Sequence, residues 1–147
     1  MARGQAVLAF LTEQHEINKP VDIMILTETW VKQANHLHYW LNSNPIGKHY
    51  HVISCHEGNQ NKNAVGQGVA IIILKIWVPF IRYIKTIPGR LILLTLNRLS
   101  EAINIGAIYY PSGTDTKQNQ VIAHQIEHSI HEHIKKKTIT KAAEPSC

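Results

Sequence analysis

The spacing of apolar positions changes several times along this 147-residue chain, and each change marks an element. Over residues 5–17, Ala6, Val7, Phe10, Leu11 and Ile17 fall near a helical repeat and predict an amphipathic helix. Asn18, Lys19 and Pro20 end it, because proline disfavours helix in the residue before it. Residues 21–26 are an almost unbroken apolar run, interrupted by Asp22, which predicts a strand buried on both faces. The segment Leu26-Thr27-Glu28-Thr29-Trp30 ends that strand and turns outward. Residues 31–41 predict a short helix carrying Leu37, Trp40 and Leu41.

Residues 50–54 predict a second strand, followed by a polar loop over residues 57–65. Gly66-Gln67-Gly68 leads into a third, strongly apolar strand over residues 69–74. Residues 77–86 alternate loosely and predict a fourth strand with Pro79 near its start. Pro88-Gly89 signals a turn into a fifth strand over residues 90–96. Residues 97–101 form a short connection to a sixth strand over residues 102–109. The last element spans residues 115–137, where Ile122, Ile126, Ile130 and Ile134 recur every four residues as one apolar helical face. Thr114 or Asp115 is placed to cap its start, and Lys135, Lys136 and Lys137 complement the dipole at its end. Short links among the middle strands favour antiparallel pairing, since parallel strands need a crossover between them. The fold class expected is α/β, a mixed and mostly antiparallel sheet with flanking helices. One domain over residues 1–137 is expected, with residues 138–147 a frayed tail.

Composition narrows the class. Apolar residues make up 44% and charged residues 17%, the profile of a folded globular chain. About 70% of the unfolded surface is buried at this size, enough for a real core. No run of about 18 apolar residues occurs, and the N-terminus lacks a secretory pattern. Cys55 and Cys147 are too few for a disulfide framework, so an intracellular, non-secreted protein is expected, cytoplasmic or nuclear. Fifteen basic against ten acidic residues give a net charge of +5, which permits an anionic partner without identifying one.

Two residues stand where α/β sheets bind ligands, beyond the carboxyl ends of strands. Glu28 follows the first strand, and a carboxylate there suits a hard cation such as Mg²⁺. The alternative is a solvated side chain. Tyr109 follows the sixth strand, just before Pro111, where a phenol can hydrogen-bond an oxyanion. The alternative there is a ring packed on the core rim. His124, His128 and His131 share one helical face and raise a Zn²⁺ site, but that face lies nearly opposite the isoleucine stripe and is expected to be wet. Cys55 beside His56 lacks a third partner for nucleophilic catalysis and reads as a half-buried thiol at a strand end. Gly66-Gln67-Gly68 lacks the Lys-Ser/Thr of a phosphate-binding loop and precedes a strand, so it also fails as a dinucleotide fingerprint.

Three blocks together resemble the endonuclease/exonuclease/phosphatase superfamily, the DNase-I-like fold, with the nearest look to its retrotransposon and apurinic-type endonuclease branch. Asp22-Ile23-Met24-Ile25-Leu26-Thr27-Glu28-Thr29-Trp30 resembles the family's strand ending in a metal-binding Glu. Gly68-Val69-Ala70-Ile71-Ile72-Ile73 resembles its Gly-Val-Ala-Ile core strand. Asn104-Ile105-Gly106-Ala107-Ile108-Tyr109-Tyr110-Pro111-Ser112 resembles its strand ending in Tyr-x-Pro-Asn, with Ser112 in place of the Asn. The resemblance implies that Glu28 holds a catalytic Mg²⁺ and that Tyr109 lies near the scissile phosphate. It implies Mg²⁺-dependent hydrolysis of a phosphodiester or phosphate ester. The family's Gly-Asp-x-Asn and Ser-Asp-His motifs are absent, and none of the ten histidines follows an Asp. Met1-Ala2-Arg3-Gly4 resembles the tail of an Asn-x-Arg-Gly motif that has lost its Asn. The expectation is therefore the N-terminal portion of such a domain, inactive alone. The alternative is a non-catalytic module on the same fold that binds DNA or RNA weakly. An uncovered apolar sheet face is also expected, with self-association through it.

Overall fold

A computed structural model describes residues 2–29, 35–55, 68–113 and 115–135. Helix α1 (Ala2–Glu16) leads to strand β1 (Ile23–Thr27) and helix α2 (His36–Asn42). A 3₁₀ turn (Pro45–His49) precedes β2 (Tyr50–Cys55). Then come β3 (Val69–Leu74), a second 3₁₀ turn (Lys75–Phe80), β4 (Ile81–Ile87), β5 (Leu91–Arg98), β6 (Glu101–Ile108) and α3 (Lys117–Lys135). The predicted loop over residues 57–65, the start of the second helix at 31–34, and residues 136–147 lie outside the described residues.

The strands form two antiparallel sheets of three, ordered β1-β3-β2 and β4-β5-β6. They pack face to face. Ile53, Val69, Ile71 and Ile73 from the first sheet share one core with Ile84, Ile92, Leu94 and Ala107 from the second. Strand alternation sends the other side chains of the first sheet outward. There Tyr50, Ile72 and Leu74 meet Leu8 and Leu11 of α1 and Leu41 of α2. On the far side, Leu91 and Leu93 of β5 receive Ile126 of α3. The result is an α/β fold of four layers, with helices outside and two sheets inside. Among the described residues the two sheets cover each other's inner faces and helices pack on their outer faces, while β6 stays largely exposed, with Ile103 56% and Ile108 37% exposed.

Four elements differ instructively from their sequence patterns. The run over residues 21–26 is an edge strand, half-buried with Ile25 43% exposed, whereas β3 is the strand buried on both faces. A short apolar run states how much is buried and leaves open whether the strand is central. Asp22 interrupts that run because it sits just outside β1, where its Oδ1 accepts a hydrogen bond from the Trp77 indole at 3.0 Å. The predicted fourth strand starts only at Ile81, since Pro79 holds a 3₁₀ turn ahead of it. The connection over residues 97–101 shrinks to Leu99-Ser100, with Leu99 in the left-handed region at φ 58° and 94% exposed.

Helix α3 shows the limit of a four-residue repeat. Each step of four overshoots a full turn by about 40° at about 100° per residue. The isoleucine stripe therefore drifts, and Ile134 turns out to solvent at 56% exposure. The buried face is instead Ala123, Ile126, Ser129 and His133. His133 Nε2 lies 2.7 Å from the Thr95 hydroxyl, which in turn lies 2.7 Å from Asn104 Oδ1. Thr116 caps the helix, its hydroxyl accepting from the Asn119 amide at 3.2 Å, in place of Asp115; Thr114 lies outside the described residues. Cys55 is buried outright, its Sγ 3.3 Å from the Ile87 carbonyl oxygen.

The two sheets make Leu94 and Ile103 unequal although both are inward positions on neighbouring strands. Leu94→Ala is expected to lower unfolding free energy by about 2–5 kcal/mol. Ile103→Ala, at a position 56% exposed on the β6 edge, should cost well under half of that. Urea unfolding of the two variants checks the ranking, and equal losses would contradict the layer assignment.

Candidate functional site

The site forms at one corner of the sandwich. Strand β1 is an edge of its sheet and β6 an edge of the other. Their carboxyl ends meet there. Glu28 follows β1 and Tyr109 follows β6, 81 residues apart in the chain. The Tyr109 hydroxyl donates to Glu28 Oε1 at 3.0 Å. Glu28 is exposed and Tyr109 half-buried, its ring packed against the inter-sheet core. The ring packs on the core rim, as the second expectation for Tyr109 has it, and the hydroxyl is turned to Glu28.

Backbone geometry holds Glu28 in place. Its φ is 53°, a left-handed conformation that non-glycine residues adopt at a cost of about 1–3 kcal/mol. The next amide, Thr29 N–H, donates to the Gly68 carbonyl at 3.3 Å. Gly68 N–H donates to the Gly89 carbonyl at 3.1 Å. Three turns, after β1, before β3 and between β4 and β5, are therefore tied into one platform. Gly68 sits at φ 122°, and a Cβ there would collide with the Thr29 hydroxyl. So Gly68 serves close backbone approach beside the site. Gly66 and Gln67 lie outside the described residues.

Arg90 completes the corner. Its guanidinium lies 5.0 Å from the Tyr109 ring centroid, within cation–π range. Its Nη1 donates to the Tyr109 carbonyl at 3.4 Å, and the Tyr109 amide donates to the Arg90 carbonyl at 2.8 Å. The sequence pattern missed Arg90, which read as the first residue of a strand. The adjacent Pro88-Gly89 turn was the available signal, because it places the next residue at the same end as the strand that pairs with β5. Tyr110 fastens the segment from behind, its hydroxyl donating to Glu127 Oε1 of α3 at 2.7 Å.

The hydrogen bond to Glu28 raises the Tyr109 pKa above the usual phenol value, helped by partial burial and the nearby carboxylate; Arg90 opposes this. At neutral pH the corner therefore offers a carboxylate, a neutral phenol donor and a guanidinium. A carboxylate can contact a hard cation, and a phenol with a guanidinium can bind an oxyanion. His124, His128 and His131 are all exposed on α3 and take no part in this corner. Among the described residues no group of three or more His, Cys, Asp or Glu side chains is arranged to hold a metal ion. No described helix is long and apolar enough to cross a membrane. No protein-family model, curated protein or solved structure matches the chain.

The raised Tyr109 pKa depends first on Glu28. In Glu28→Gln the phenol is expected to titrate closer to the ordinary value of about 10. Ultraviolet titration, with Tyr109→Phe to isolate one of five tyrosines, checks this. The sign for stability follows: the contribution of the bond is present below about pH 10 and is lost as pH rises through the raised pKa. Identical titration curves in the wild type and Glu28→Gln would remove Glu28 as the cause.

Proposed function

We propose that the Glu28–Tyr109–Arg90 corner is part of a phosphoester-hydrolase site of the endonuclease/exonuclease/phosphatase type, and that this chain is inactive on its own. The observation that carries the reading is the 3.0 Å hydrogen bond from Tyr109 to Glu28. The resemblance ties these two residues to one chemistry, and they are neighbours although they lie 81 positions apart in the chain.

Each residue has a role that its surroundings support. Tyr109, kept neutral, has a single O–H, which now points to Glu28; when Mg²⁺ takes that carboxylate, the O–H is free to turn to a phosphoryl oxygen. Arg90, beside the same ring, supplies a planar cation suited to phosphate. Glu28 is the Mg²⁺ contact. A single carboxylate fits the way Mg²⁺ is held with several waters and substrate phosphates, and it does not make a resident multi-ligand cage. When bound, Mg²⁺ would polarise phosphoryl oxygens. General acid–base help is worth roughly 10²–10⁴ in rate, and the family's Asp-His dyad has no counterpart in this sequence. Inactivity follows from that missing pair.

Two measurements test the reading. Incubation of supercoiled plasmid with the purified chain and Mg²⁺ is expected to give background nicking, unchanged in Glu28→Ala. Robust nicking abolished by Glu28→Ala would overturn the claim of inactivity. A Mg²⁺ titration followed by amide NMR should shift the signals of Glu28 and Tyr109, with the shift lost in Glu28→Gln. Silence at both amides would overturn the metal contact.

A further inference from the structure

A second cluster of chemistry lies at the other end of the first sheet. Glu28 follows the carboxyl end of β1, whereas Asp22 precedes its start. The Leu74 amide donates to the Asp22 carbonyl at 2.9 Å, which puts the end of β3 and Lys75 at that far end. Tyr50 pairs with Leu74 in the β2–β3 register, so His49 and Lys48 arrive there too. The His49 ring stacks on His15 of α1, with centroids 4.2 Å apart and planes 23° apart. His51 follows on the β2 edge, and His38 approaches it from α2. Five elements thus bring four imidazoles and two ammonium groups together.

The electrostatics of the cluster are one-sided. The His49 pKa is lowered by burial first, then by His15, Lys48 and Lys75. The His51 pKa is lowered by partial burial first, then by His38 and Lys75. Every neighbouring charge that moves these two rings is a cation. Among carboxylates on the packed elements, Asp22 is engaged by the Trp77 indole. Glu16 and Glu13 on α1 point about 100° and about 160° away from His15 around the helix axis. Asp22 supplies one negative charge at this end, where it acts on Tyr50, against the four imidazoles and two ammonium groups, so among the described residues the cluster is predominantly cationic.

An aromatic surface adjoins the cluster. Tyr39 is 66% exposed, and its ring meets the His38 ring edge-on at 6.2 Å. The His38 ring is steadied from within α2 by its 3.1 Å contact with the Asn42 amide. Cations that follow a backbone, beside an exposed ring on which a base can stack, are the features that bind single-stranded nucleic acid.

We infer that the face formed by His15, His49, His51, Lys48, Lys75 and Tyr39 binds single-stranded nucleic acid through its phosphates and one stacked base. The inference does not rest on the hydrolase reading, because none of these residues belongs to the Glu28 corner. The interaction strengthens as pH falls, since protonation of His49 and His51 adds positive charge where the phosphates lie. It weakens with salt as counterions are released less favourably.

Fluorescence anisotropy with a labelled oligothymidylate of about 12 nucleotides tests this on the full chain. Affinity is expected to rise roughly tenfold between about pH 8 and about pH 5.5, across the histidine range. Lys48→Ala/Lys75→Ala should weaken binding at both pH values, and His49→Gln/His51→Gln should flatten the pH dependence. Tyr39→Ala should cost roughly fivefold or more through lost stacking. Lys48, Lys75 and Tyr39 are exposed, so these variants should melt like the wild type by circular dichroism. Binding that is independent of pH and unchanged in the lysine variant overturns the site. Binding unaffected by Tyr39→Ala and displaced equally by heparin overturns the nucleic-acid assignment in favour of a general polyanion surface.

Discussion

Burial of β3 between two layers is the constraint on which the molecule depends. Its six side chains, from Val69 to Leu74, are all buried. Val69, Ile71 and Ile73 face the second sheet, and Ile72 and Leu74 face the helices. One strand therefore joins the two largest cores. With β3 fixed, β1 and β2 can pair only along its two edges, and β5 must lie beneath it. The partners of Ile71 and Ile73 across the sheets, Ile92 and Leu94, are equally inaccessible. Dispersion contacts of this kind are individually small and collectively decisive.

That arrangement leaves one side of the sandwich thin. The edges β1 and β6 lie on the same side, where Ile23, Trp77, Leu96, Ile103 and Ile105 line a cleft of about 390 Å³. Arg98 stands at its rim, 5.3 Å from the Trp77 ring centroid. The same geometry that opens this side also brings the carboxyl ends of β1 and β6 together. Glu28 and Tyr109 meet because their strands are both edges, in different sheets, running to one corner. The opposite end of the first sheet gathers histidines and lysines instead. A single antiparallel layer thus separates a carboxylate–phenol corner from a cationic cluster.

Much of the fold was legible along the chain. The third strand matches its apolar run over residues 69–74, and the antiparallel pairing of β4, β5 and β6 follows from their short connections. Glu28 and Tyr109 were legible as site candidates because each follows an apolar strand. Arg90, His133 and Thr116 were not. Arg90 acquires its role from a ring 19 residues away. His133 is buried because a four-residue stripe rotates off its face within three turns. Thr116 competes with two neighbours that have the same capping chemistry, and only the backbone path selects it.

The sequence alone determined the number and type of the helices and strands, the antiparallel pairing of the closely linked strands and which strand ends carry Glu28 and Tyr109. These depend on local period and on connection length, which are properties of neighbouring residues. Only tertiary structure decided that the strands divide into two sheets, that β1 is an edge and β3 the centre, and that Glu28 hydrogen-bonds Tyr109. It alone gathered His15, His38, His49 and His51 into one cluster. Those outcomes depend on which surfaces exclude water against which others, and that choice involves the whole chain at once.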